Sequence, residues 1–161
     1  MKFTNKLMIA GIALCASTML SAATSGTLTL QGTIDQVLSL SVVPTDSTPN
    51  DGTYSGLDLS TNTDTEVANV REVSNAQNGY RVLVSHEGKL RNQSNNNAIF
   101  NYKLVYENTE VNAGSNIEVA NVGAGVYDVN KKIRVRYTGV AAGTLASGTY
   151  AETVTFTIQA K

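Results

Sequence analysis

The 161-residue chain has one cysteine, one histidine, two prolines and no tryptophan. Cys15 lies within the opening stretch MKFTNKLMIAGIALCASTMLSAA. That stretch has the three parts of a secretion signal: Lys2 and Lys6 at a positive start, an apolar run from Leu7 to Leu14, and the small residues Ser21-Ala22-Ala23 at the positions a signal peptidase reads. The apolar run is well short of the roughly 20 residues a bilayer span needs. Leu14 before Cys15 is also the wrong residue for lipidation of that cysteine. Residues 1–23 are therefore expected to be a cleaved signal peptide, and their removal leaves 138 residues, one domain's worth. The mature chain then carries no disulfide, no thiol nucleophile and no thiolate metal site. Small exported domains often use disulfides, so this one must hold itself together through a packed core, for which it is long enough.

The shortage of chemistry-bearing residues excludes most catalytic designs. His86, in VSHEGK, is the only histidine and reads as an exposed loop residue where a strand gives way to a turn. It has no second histidine as a metal partner, and neither HExxH nor CxxC spacing occurs. There is no GxSxG elbow, so a Ser-His-Asp arrangement would have to run through His86 alone. Asp46, Asp51, Asp58 and Asp64 gather near the Pro44–Thr65 segment. Loop carboxylates can bind calcium, but this spacing fits no EF-hand, and polar loops collect Asp for turn chemistry. Nothing places two carboxylates across a cleft for glycoside hydrolysis, and the missing tryptophan argues against an aromatic sugar-binding face. No catalytic residue, metal or cofactor is expected, and the protein is not expected to be an enzyme.

Charge of one sign is also scarce. Lys2 and Lys6 leave with the signal, so the mature chain has 10 basic against 13 acidic residues, a balance of about −3. Phosphate-backbone binding needs clustered Lys and Arg. The richest cluster, Lys131-Lys132-Ile133-Arg134-Val135-Arg136, alternates with apolar residues and reads as the wet face of a strand. No nucleic-acid partner is expected.

No helical period persists for three turns. What the chain does have is Val, Thr, Tyr, Ile and Leu, which favour pleated, half-buried surfaces, broken at short intervals by Asn, Gly, Ser and Asp. Strands are expected at Thr27–Ile34, Val37–Val43, Gly56–Leu59, Glu66–Val73, Tyr80–Ser85 (after an Asn78-Gly79 turn), Ile99–Tyr106, Ile117–Val119, Lys132–Tyr137 and Thr149–Gln159. Gly88–Asn97 reads as a polar loop. Phe100, Tyr102, Leu104 and Tyr106 share one face, as do Ile133, Val135 and Tyr137, and as do Val154, Phe156 and Ile158. Short strands at this spacing predict an all-β, two-sheet sandwich. The pentapeptide EVANV occurs at Glu66–Val70 and again at Glu118–Val122, and reads as coincidence in a chain rich in Val and Asn.

Three stretches carry a resemblance. GTLTLQGTIDQVLSL resembles the opening of mature chaperone–usher fimbrial (pilin) subunits. AGTLASGTYAETVTFTI resembles the closing strand of those subunits and of the related spore coat protein U-like secreted domains. NAQNGYRVLVS resembles an Asn-Gly-Tyr strand entry recurrent in such surface proteins. Together they cover about a third of the mature chain.

The resemblance implies an immunoglobulin-like sandwich lacking its final strand, with 24–36 as an N-terminal extension and 37–161 as the body. A periplasmic chaperone, working with an outer-membrane usher, would fill the gap first. The extension of the next subunit would then replace the chaperone, giving a head-to-tail polymer of the chain with itself at the cell surface. Leu28, Leu30 and Ile34 would enter the groove, with Gly32 at a shallow point, and Val154, Phe156 and Ile158 would line it. The chain departs from the family in having no cysteine near Leu38 and no penultimate tyrosine before Lys161. Read from its residues alone, GTLTLQGTI fits a donor strand for a neighbour, an ordinary first strand of its own sheet, or a disordered linker, in that order. The alternative function is a monomeric secreted sandwich that binds a glycan or host protein through the Pro44–Thr65 and Gly88–Asn97 loops.

Overall fold

The computed structural model describes residues 26–46 and 52–161. The expected signal peptide, Asp51 and part of the Pro44–Thr65 loop lie outside the described residues. By its contacts the chain divides between Thr33 and Ile34, and residues 34–161 form the body.

Eleven strands and no helix occur among the described residues: β1 Leu38–Pro44, β2 Thr63–Ser74, β3 Tyr80–His86, β4 Lys89–Asn92, β5 Ile99–Asn101, β6 Lys103–Tyr106, β7 Thr109–Val111, β8 Gly114–Val122, β9 Tyr127–Tyr137, β10 Tyr150–Ala151 and β11 Thr155–Ala160. All pair antiparallel. A five-stranded sheet runs β1-β2-β9-β6-β7, and two three-stranded sheets run β10-β4-β5 and β11-β3-β8. The inward faces of the three sheets share one core: Ala68 and Val70 of β2, Val84 of β3, Leu90 of β4, Phe100 of β5, Leu104 and Tyr106 of β6, and Ile133, Val135 and Tyr137 of β9. Fully burying each large apolar side chain contributes about 1.5–3 kcal/mol, and this replaces the staple that a disulfide would supply.

Side-chain alternation was the dependable part of the sequence reading, and strand bounds were the weak part. Phe100, Tyr102, Leu104 and Tyr106 are all buried, as are Ile133, Val135 and Tyr137. Yet the single strand expected at Ile99–Tyr106 is two, β5 pairing with β4 and β6 pairing with β9. The chain changes sheets at Tyr102, whose N–H bonds Gly88 O at 3.0 Å. Gly88–Asn97 is not all loop: β4 lies inside it because Leu90 fills the core between two polar neighbours. Gly56–Leu59 forms no strand, β7 was not foreseen, and the short strand at Ile117–Val119 is the centre of the nine-residue β8. The Asn78-Gly79 turn is present. Gly79 has φ +85°, and a Cβ there would lie 2.1 Å from Val122 O, so only glycine fits.

Both copies of the repeated EVANV sit at the same kind of irregularity. In β2 the register with β9 slips between Glu66 and Ala68, leaving Val67 unpaired. In β8 the register with β3 passes from Ala120 to Glu118, leaving Val119 unpaired. Both copies place a β-bulge at the first Val. In a regular strand residues i and i+3 face opposite sides. The extra residue shifts the parity and puts Glu and Asn on one face. Accordingly Asn69 Nδ2 donates to Glu66 Oε1 at 3.1 Å, and Asn121 Nδ2 donates to Glu118 Oε1 at 2.9 Å.

Glu72 of β2 is fully buried. Its carboxylate accepts the Tyr80 hydroxyl at 2.8 Å and also the Tyr106 hydroxyl. Loss of hydration outweighs these bonds and raises the Glu72 pKa above its ordinary value of 4.5. A carboxylic acid that holds its proton more tightly when folded stabilises the fold fully below its unfolded pKa. That contribution is lost as pH rises through the folded pKa. Glu72→Gln, neutral throughout and still offering an oxygen to a tyrosine, should therefore gain melting temperature relative to wild type as pH is raised above 4.5. Parallel melting curves for the two proteins across that range would contradict this.

Candidate functional site

Among the described residues six strands lie at sheet edges, and two of them border the open part of the core: β1, with β2 as its hydrogen-bonded neighbour, and β11, with β3. Between them opens a groove with a cavity of about 380 Å3. Val42 and Pro44 of β1 line one side, and Val154 and Phe156 line the other. Ala68, Leu104, Ile133 and Val135 form the floor, with Tyr54, Leu57 and Tyr150 also contributing.

Register shows that these side chains face inward without being covered. Val42 stands opposite Val70 and Leu40 opposite Glu72, and both partners are fully buried. Val42 is nevertheless 37% exposed. On the other wall Phe156 stands opposite Val84 and Ile158 opposite Val82, again with fully buried partners, while Phe156 and Ile158 are only half-buried. The core is therefore closed on the β2 and β3 side and open at β1 and β11. The outer edges of these two strands also present unpaired N–H and C=O groups, a template for another strand.

Of the residues expected to line a groove, Val154 and Phe156 do so. Ile158 faces inward opposite Val82 but lies outside the groove lining. The opposite wall and the floor were not singled out from sequence. The alternation of Leu38, Leu40 and Val42 would have identified the wall, and that of Phe100 to Tyr106 part of the floor. The strand expected at Thr27–Ile34 does not form: no strand covers residues 26–37. Leu28, Leu30 and Ile34 are 84, 85 and 89% exposed. A Cβ built on Gly32 would meet nothing within 4 Å.

The final strand is interrupted between Ala151 and Thr155 because Glu152 has other work. Its carboxylate accepts the Glu87 N–H, and the Lys89 N–H at 2.9 Å, closing the turn between β3 and β4. Burial raises the pKa of Tyr102, and the adjoining Glu152 carboxylate, which its hydroxyl bonds, raises it further. His86 was expected to be exposed but is 94% buried, being only 6% accessible. Strand β3 runs on through residue 86, so His86 follows the inward parity of Val82 and Val84. Its ring centroid lies 6.1 Å from that of Tyr102, and neither nitrogen has a hydrogen-bond partner within the protein.

Of the acidic residues weighed for calcium, Asp46, Asp58 and Asp64 lie among the described residues, and each has other partners. Asp46 Oδ2 accepts Ser55 N–H at 2.6 Å. Asp58 accepts the hydroxyl and N–H of Ser60 at 2.6 and 2.9 Å, which hold its pKa below the ordinary value. Asp64 bonds Arg134 at 2.8 Å and Arg136 at 3.0 Å. Among the described residues no three acidic, histidine or cysteine side chains converge on a metal position. Three of the four basic residues of β9 are paired with acids of β2: Arg134 and Arg136 with Asp64, and Lys132 with Glu66 at 2.9 Å.

Comparison of the chain with protein-family models gives no match, and neither does comparison with curated proteins.

Glu152→Ala should leave the Glu87 and Lys89 amides without their acceptor. Lost hydrogen bonds to a carboxylate predict a destabilisation of about 1.5–3 kcal/mol. Amide hydrogen exchange should speed up most at residues 87 and 89. Unchanged exchange there would show that the turn does not depend on Glu152.

Proposed function

We propose that the protein is a structural subunit of a bacterial surface fibre, built as an immunoglobulin-like sandwich that lacks one strand, and that residues 26–34 of one copy fill the groove of the next. The observation that carries this reading is the match of two shortfalls in one chain. The body has an apolar groove between two unpaired strand edges. The chain also has a segment of alternating polarity whose apolar side chains are 84–89% exposed and belong to no strand.

An extended segment alternates its faces, so Leu28, Leu30 and Ile34 would face the floor together while Thr27, Thr29 and Thr33 face water. Burial of the three contributes on the order of 5–9 kcal/mol before ordering costs. Main-chain bonds to β1 and β11 would set the register. This is strand addition between molecules. A head-to-tail contact between different patches that does not close on itself makes a filament. The resemblance of GTLTLQGTIDQVLSL and AGTLASGTYAETVTFTI to fimbrial subunits supports the same reading, and a periplasmic chaperone and an outer-membrane usher are the partners it implies. With no cysteine in the expected place, the fibre would depend on strand docking and core packing alone.

Three full-length mature variants test the arrangement. Leu30→Lys should spoil the inserting segment and leave the groove intact. Val154→Lys should spoil the groove and leave the segment intact, and Val42→Lys provides the same test from the opposite wall. Each variant alone should stay monomeric while the wild type polymerises. An equimolar mixture of Leu30→Lys with a groove variant should give dimers and nothing longer by light scattering. Mixtures that remain monomeric, or single variants that polymerise like wild type, would refute the reading.

A further inference from the structure

Asn75 holds the root of the N-terminal segment to the body. Asn75 follows the last residue of β2, where the chain turns away towards Gly79, whose N–H bonds Ala76 O at 3.0 Å. The strand opposite β1 has ended there, yet the ladder continues. Asn75 N–H donates to Val37 O at 3.1 Å. Its side chain then stands in for the missing backbone: Oδ1 accepts Val37 N–H at 2.6 Å, and Nδ2 donates to Asp35 O at 3.0 Å. An asparagine amide offers the same donor and acceptor pair as a peptide unit, so one side chain extends the sheet by two residues beyond its last partner strand.

We infer that Asn75 is a positioning residue: it fixes the course of Asp35–Val37 and so sets the stiffness and angular order with which successive copies are joined. The inference rests on the docking of residues 26–34 proposed above. If those residues are held in a neighbour and Asp35–Val37 are held by Asn75, no free linker remains between two bodies. Without the clamp, Asp35 and Gln36 become soft, and linker flexibility of this kind decouples the orientation of the modules it joins. The side chain touches neither the groove nor residues 28–34 in this account, so the strength of docking should be unaffected.

The test uses full-length mature protein. Filaments of wild type, Asn75→Ala and Asn75→Asp are imaged by electron microscopy, and a synthetic peptide of residues 26–34 is titrated in to cap growing ends. Asn75→Ala should polymerise and be capped at the wild-type peptide concentration. Its persistence length should fall about twofold or more, and its helical diffraction should be lost. Asn75→Asp keeps an acceptor for Val37 but cannot donate to Asp35, and should fall between the two. It decides the matter if the alanine variant does not fold. Wild-type stiffness in filaments of whichever variant folds would overturn the role of Asn75 alone. Failure of the peptide to cap wild-type filaments, or absence of wild-type filaments, would overturn the docking reading and this inference with it.

Discussion

A β-sheet edge beside an open core leaves two demands unmet at once: backbone groups without partners and apolar side chains without cover. Strands β1 and β11 both stand at such edges, and both border the same groove. Val42 and Phe156 turn inward like their fully buried neighbours Val70 and Val84, but are themselves left partly exposed at the groove. In the proposed account one added strand meets both demands. The three sheets share one core, the outer face of β9 is paired through Asp64 and Glu66, and Glu152 locks the turn beside the gap.

Much of this was readable from residue order, and the reason is the period of two. Ile133, Val135 and Tyr137 alternate with Lys132, Arg134 and Arg136, and the fold buries the first set and pairs the second with acids on β2. Alternation does not state which strand a segment will pair with. The run Ile99–Tyr106 keeps one buried face while its backbone changes sheets at Tyr102, and the last run is broken at Glu152 by a hydrogen-bonding duty set some 65 residues earlier in the chain. Partner choice is a long-range property, and a local pattern does not carry it. The same limit explains Leu90, whose polar neighbours disguised a core strand, and His86, whose parity with Val82 and Val84 was hidden by the turn after it.

The repeated EVANV marks a different kind of legibility. Five identical residues in two strands of different sheets each place a Val that the neighbouring strand's register skips, and bring Glu and Asn to one face. The cause lies in chain geometry, because a bulge reverses the parity of everything beyond it. The N-terminal stretch shows the opposite case. Its alternation fits a strand, yet residues 26–37 form none, and Leu28, Leu30 and Ile34 are exposed. In the proposed account that pattern is addressed to another molecule, and only the ladder supplied by a neighbour would make it a strand.

Amide hydrogen exchange followed as a function of protein concentration tests the central claim most directly. In dilute monomer the amides of residues 28–34 and of the outer edges of β1 and β11 should exchange freely. At concentrations where the protein assembles, all three sets should become protected together, because the same hydrogen bonds protect them. Protection of residues 28–34 already complete in the dilute monomer, or assembly that leaves these amides exchanging freely, would contradict strand docking between copies.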